Sequence, residues 1–119
     1  MTRDESTHIH ATASITRDGA LALLVAARQA AKDLGIDVAI AVTDAGGHLS
    51  AFERADATPF LASEVALDKA WTAASFGLST RVWNQVVAQP ATAPLARHPR
   101  LMAVGGGVPI VIGGRVVGA

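Results

Sequence analysis

The sequence predicts a mixed α/β (α+β) domain in which helices pack on a mostly antiparallel sheet. Three observations point there. Two β-branched runs flank an Asp-Ala-Gly-Gly turn at residues 44–47, two more flank Gly113-Gly114, and three helical patterns precede or separate these hairpins. The order is α-β-β-α-α-β-β. Hairpins separated by helices give antiparallel neighbours rather than a wound parallel sheet.

Residues 1–15 read as a flexible N-terminal arm, polar and aperiodic, with at most a short strand near its end. The domain then spans 16–119. Thr16 is placed to cap a helix, and Asp18 in its first turn suits the positive end of the helix dipole. Leu21, Leu24, Val25 and Arg28 follow at helical spacing, and Gly35 supplies the left-handed stop. DVAIAVT (37–43) and HLSAFER (48–54) read as strands, because the glycines between them take the positive φ of a tight hairpin.

ADATP breaks that pattern. Thr58 is expected as the next cap with Pro59 at the first helical position, where its missing N–H is harmless. The helix over roughly 59–76 buries some of Phe60, Leu61, Val65, Ala66, Ala70, Ala73 and Phe76 before Gly77 ends it. Ser79 or Thr80 caps a shorter helix carrying Val82, Trp83, Val86 and Val87. Pro90, Pro94 and Pro99 make the next stretch irregular. LMAV (101–104) reads as a strand, Gly105-Gly106-Gly107 as a loop, and PIVI-Gly-Gly-RVVGA as a hairpin.

The composition narrows the chemistry. At 119 residues there is room for one core. Half the residues are hydrophobic but only 4% are aromatic, so that core is built from Ala, Val, Leu and Ile. Charged residues make up 17%, below the usual quarter, which fits a surface partly hidden in a homo-oligomer. The net charge is zero and no basic run tracks a phosphate backbone, which argues against nucleic acid. No apolar run is long enough for a membrane span and no signal-peptide core appears, so a cytoplasmic location is expected. Without cysteine or tyrosine there is no thiolate and no phenolate.

AVTDAGGHLSAFERAD, DKAWTAASFG and GGGVPIVIGGRVVGA together resemble the GlcG/HbpS family, the haem-binding or PduO C-terminal-like proteins. The resemblance covers about residues 16–119, with its motifs in the same order. It implies a profilin-like fold with a five-stranded antiparallel sheet, homo-oligomers from dimer up to octamer, and haem as a possible cofactor. It also implies an Ile-Gly-Val-Ser-Gly strand and a helix after Ala119 that are missing from this sequence.

Haem iron needs an axial ligand. The candidates are His8, His10, His48 and His98, with Met102 and Lys69 weaker. His48, just after the glycine turn, is the one named for haem, against the plain reading of a solvated hairpin residue. His8 and His10 are two apart and share one side, but in an unanchored arm. Lys69 either points inward, paired with Asp44 or Glu64, or sits on the surface beside Asp68; the resemblance favours the inward reading. Arg54 and Asp56 either clamp a carboxylate such as a propionate or form an exposed ion pair.

The Gly105-Gly106-Gly107 loop before Pro109 permits close backbone approach and offers amides to an anion, or is simply a tight turn. It lacks the Lys-Ser/Thr of a nucleotide phosphate loop. Trp71 and Trp83 serve as core, as subunit contact, or as a surface for stacking a porphyrin.

Three functions remain open from sequence. The first is a haem- or small-ligand-binding protein. The second is a cofactor-free enzyme on a small carboxylate or carbonyl substrate, with Lys69 and Asp44 as acid and base. The third is a non-catalytic oligomeric sensing or structural module. A serine hydrolase is disfavoured, since no Gly-x-Ser-x-Gly elbow occurs.

Overall fold

The computed structural model describes residues 7–119. Part of the expected arm, residues 1–6, lies outside the described residues. In the remainder, Ala11 O accepts from Arg115, Ser14 Oγ accepts from the Ala45 amide, and the Ile15 amide donates to Val117 O.

Helix α1 spans Arg17–Leu34. Thr16 Oγ1 accepts the Gly19 amide at 3.0 Å, and Gly35 closes the helix at φ 69°. Its buried stripe is Ala20, Leu24 and Ala31, packed on Val42 with Ile15, Ile40 and Ala51 around it. Leu21 and Val25, at the same helical spacing as Leu24, are exposed. Strands β1 (Ala39–Thr43) and β2 (Leu49–Arg54) form the first hairpin, with a bulge between Val42 and Thr43. Arg28 on α1 grips Glu53 on β2 through a two-pronged contact at 2.7 and 2.6 Å.

Helix α2 spans Phe60–Phe76 and lies along β1. Its N-cap is Pro59 rather than Thr58, whose side chain makes no capping bond. Among the described residues the buried Thr58 hydroxyl has no partner, and no side chain caps the helix. Helix α3 (Thr80–Val87) is capped by Ser79, which accepts the Val82 amide. A 3₁₀ turn follows at Ala93–Arg97, then β3 (Ile110–Ile112) and β4 (Arg115–Gly118) close the second hairpin.

The sheet corrects two expectations. Residues 101–104 are not a strand. Buried Thr72 takes the Met102 amide and donates to Arg100 O, and Asn84 donates to Ala103 O, so side chains use up the main-chain groups that a ladder needs. There is also no five-stranded sheet among the described residues, but two two-stranded ones. They touch where Thr43 and Ala119 exchange both main-chain hydrogen bonds, at 2.7 and 3.2 Å, beside the Asp44–Gly118 bridge. Gly118 and Ala119 make that contact at the Thr43 end of β1.

Among the described residues no helix is long and apolar enough to cross a membrane.

Candidate functional site

Two separate places gather the residues singled out by the sequence. The first is a groove of about 710 Å³ between α1, β1 and α2. Its walls are aliphatic, from residues such as Leu23, Ala27, Ile40, Val65 and Ala66, and one end carries Lys69, Gly106 and Gly107. Lys69 is half-buried, facing this groove from α2. Its ammonium donates to Gly105 O at 2.8 Å. Neither Asp44 nor Glu64 pairs with it, and Asp68 is engaged by Arg100 at 3.1 Å.

The glycine loop is anchored from two sides. The Gly107 amide donates to Thr80 Oγ1 at 2.9 Å, and the Thr80 amide returns a bond to Gly107 O at 2.9 Å. A methyl group on Gly107 would lie 2.7 Å from both Lys69 O and Thr80 Cγ2, so close approach to α2 and α3 requires glycine here. Gly106 takes φ 128° with the Lys69 ammonium alongside it. Pro109, half-buried, leads the loop into β3.

The second place is the β1–β2 turn. Asp44 Oδ1 accepts the Gly46 and His48 amides at 2.9 and 3.0 Å, which folds the turn back on its own aspartate. The same carboxylate meets His48 Nδ1 at 3.1 and 3.3 Å. Partial burial alone would raise the Asp44 carboxyl. The His48 and Gly46 amides and the nearby imidazole outweigh that and hold it below the ordinary aspartate value. The His48 side chain is 81% exposed, with its Nε2 edge free of protein partners.

Trp71 lies beside Gly47 on a shallow recess of about 220 Å³. His98 stacks on its ring at 5.2 Å, and the Arg100 guanidinium sits 4.8 Å from its centre. Arg54 lines neither place. Its Nη1 donates to the carbonyls of Ala55, Asp56 and Thr58, so it braces the loop before α2 and meets the main chain of Asp56 rather than its carboxylate. Trp83 is core, edge-on to Phe76 at 5.6 Å.

The structure therefore joins Lys69 to the glycine loop and Asp44 to His48, but Asp44 and Lys69 belong to different networks. Thr72 escaped the sequence reading, and Thr80 entered it only as an alternative helix cap. Their signal is a hydroxyl on an otherwise apolar helix face, which has to find a partner once buried. No group of three or more acidic or histidine side chains able to hold a metal ion occurs among the described residues.

Fold and site together define an α/β domain with a ligand-sized aliphatic groove and an outward-facing, carboxylate-steered histidine. A family model described as "Haem degrading protein HbpS-like" matches residues 15–119. The chain belongs to the HbpS-like family.

Protein GlcG of Escherichia coli (strain K12) is 34% identical over 105 residues, which cover 88% of this chain and 78% of GlcG. A 15.0 kDa protein of the dhaT-dhaS intergenic region of Citrobacter freundii is 29% identical over 111 residues, 90% of this chain and 78% of that protein. Among solved structures, a double mutant of Streptomyces reticuli HbpS superposes with TM-score 0.84 at 28% identity, covering 93% of this chain and 75% of the other. A PduOC:heme complex superposes with TM-score 0.78 at 26% identity, covering 88% and 78%.

Proposed function

We propose that this chain binds haem at the β1–β2 turn, with His48 as iron ligand, and works as a homo-oligomer. The observation that carries the reading is the Asp44–His48 pair. Metal-bound imidazoles characteristically hold their second nitrogen on a carboxylate, which fixes the ring and raises its basicity. Here Nδ1 faces Asp44 and Nε2 is left for iron. These residues fit the group: the ring is accessible, Gly46 and Gly47 flank it without side chains, and Trp71 offers an aromatic edge nearby.

Bound haem would supply the redox-active iron. The chain itself orients the imidazole and keeps Asp44 ionised beside it. The turn's own recess is far smaller than a porphyrin, so a second protomer is the natural cover for the other haem face. Phe60 and Phe76, 82% and 75% exposed at the two ends of α2, are apolar surfaces available for such contacts. Likeness to a PduOC:heme complex and membership of a family described as haem degrading support the same reading.

The test is a haemin titration of the purified chain, following the Soret band. A saturable shift is expected in the parent and its loss in His48→Ala, with Asp44→Asn weakened about tenfold or more. An unchanged spectrum in His48→Ala would remove the ligand assignment. Equal binding of iron-free protoporphyrin IX would remove iron ligation altogether.

A further inference from the structure

The haem reading uses the β1–β2 turn and leaves the cluster beside it unassigned. Trp71 connects the two. A methyl group on Gly47 would lie 3.1 Å from Trp71 Cδ1, and Gly46, Gly47 and Trp71 line one recess. On the same indole the Arg100 guanidinium sits 4.8 Å from the ring centre, and the His98 imidazole stacks at 5.2 Å. Arg100 is thus one indole away from the histidine turn.

The guanidinium is held but not used up. Its Nε donates to Asp68 Oδ1 at 3.1 Å, and the Trp71 ring lies against it. Its two terminal nitrogens make no hydrogen bond among the described residues, and the side chain is 45% exposed. A guanidinium offers five donors in a fixed fork, enough for Asp68 and a second carboxylate at once. Arg28, by contrast, spends both prongs on Glu53.

His98 completes the arrangement. Its Nδ1 accepts the Arg100 amide at 3.2 Å, so the neutral ring carries its proton on Nε2. That bond ties the main chain of Arg100 to the imidazole that stacks on Trp71. The arginine is therefore fixed through both its backbone and its side chain.

A porphyrin is flat and apolar except along the edge that carries its two propionates. An indole beside the iron ligand, with a half-free guanidinium on that indole, matches those two parts. We infer that Arg100 takes a haem propionate through its terminal nitrogens, with Asp68 and Trp71 as the residues that position it. The inference rests on haem binding at the neighbouring turn, and it adds the group that selects an acid over an uncharged porphyrin. Charge-assisted contacts to a guanidinium fork favour a carboxylate over its ester.

The experiment compares haemin with haemin dimethyl ester, whose propionates are uncharged, in Soret titrations of the parent chain and of Arg100→Gln. The parent should bind haemin about tenfold or more tightly than the ester. Arg100→Gln should lose that preference by weakening haemin alone. Its affinity for the ester and the position of its bound Soret band should be those of the parent. Arg100→Lys, which keeps the charge without the fork, should fall between the two. Equal affinity of the parent for haemin and ester would overturn the anchor. So would an Arg100→Gln variant that keeps the preference or weakens both ligands alike. A chain that binds neither porphyrin would overturn the anchor together with the haem reading. Otherwise the two fail separately. An unchanged Soret band in His48→Ala, with the preference for the acid intact, would remove the iron ligand and leave the anchor. A shift lost in His48→Ala, with acid and ester bound alike by the parent, would do the reverse.

Discussion

The Lys69 ammonium and the Gly105 carbonyl meet at 2.8 Å, while Lys69's own main-chain oxygen lies where a side chain on Gly107 would have to go. One residue of α2 thus shapes the glycine loop twice, by donating to one end and by crowding the other. Gly107→Ala should cost about 1–3 kcal/mol, because the added methyl meets main chain that cannot swing away. Urea unfolding monitored by circular dichroism measures it. An unchanged midpoint would mean that the loop is free to back off from α2.

Thr72 is fully buried, and its hydroxyl serves two strangers to its own helix, the Arg100 carbonyl and the Met102 amide. Thr72→Val keeps the shape and strands both groups. A loss of about 1–3 kcal/mol is expected. Faster hydrogen exchange at the Met102 amide should accompany it, whereas a general packing defect would spread the change over α2.

Trp83 presents the opposite case. It is 4% exposed, and its indole N–H has no partner among the described residues. Trp83→Phe removes that orphan donor along with part of the ring. The two effects oppose each other, so the net change should stay below about 1 kcal/mol, against the larger cost usual for core truncation. A loss of several kcal/mol in thermal unfolding would show that the N–H is satisfied in solution.

Asp44 titrates low in the folded chain, since the turn amides and His48 favour its charged form over the burial that opposes it. A depressed folded value means that its stabilisation is present above the unfolded aspartate value and is lost as pH falls through the folded one. Asp44→Asn should therefore be the less stable protein at pH 7, with the gap closing below about pH 4. Denaturant midpoints at pH 7, 4 and 3 check the sign. A gap that widens in acid would contradict it.

Local chemistry was legible where a residue answers to its neighbours in sequence. Thr16 and Gly35 bound α1, Ser79 starts α3, and Asp44 through His48 form the turn that their glycines require. What failed depended on distant partners. LMAV has strand composition, but its amides and carbonyls were already taken by Thr72 and Asn84, which lie on helices. Of the α1 residues at helical spacing only Leu24 is buried, and Ala20 and Ala31 share its face while Leu21 and Val25 are exposed. The three carbonyls that Arg54 Nη1 reaches, on Ala55, Asp56 and Thr58, were likewise not legible in the sequence. The groove was invisible as such, since its walls come from α1, β1 and α2, and only its Lys69 end left a trace in sequence.

The setting of Trp71 has an optical consequence. With no tyrosine present, ultraviolet emission comes from two indoles in contrasting surroundings, one buried beside Phe76 and one stacked on an imidazole with a guanidinium against its ring. Ring and cation contacts of this kind set how brightly an indole emits. Movement of the 98–100 segment is thus written in the brightness of Trp71, while the buried Trp83 reports on the core.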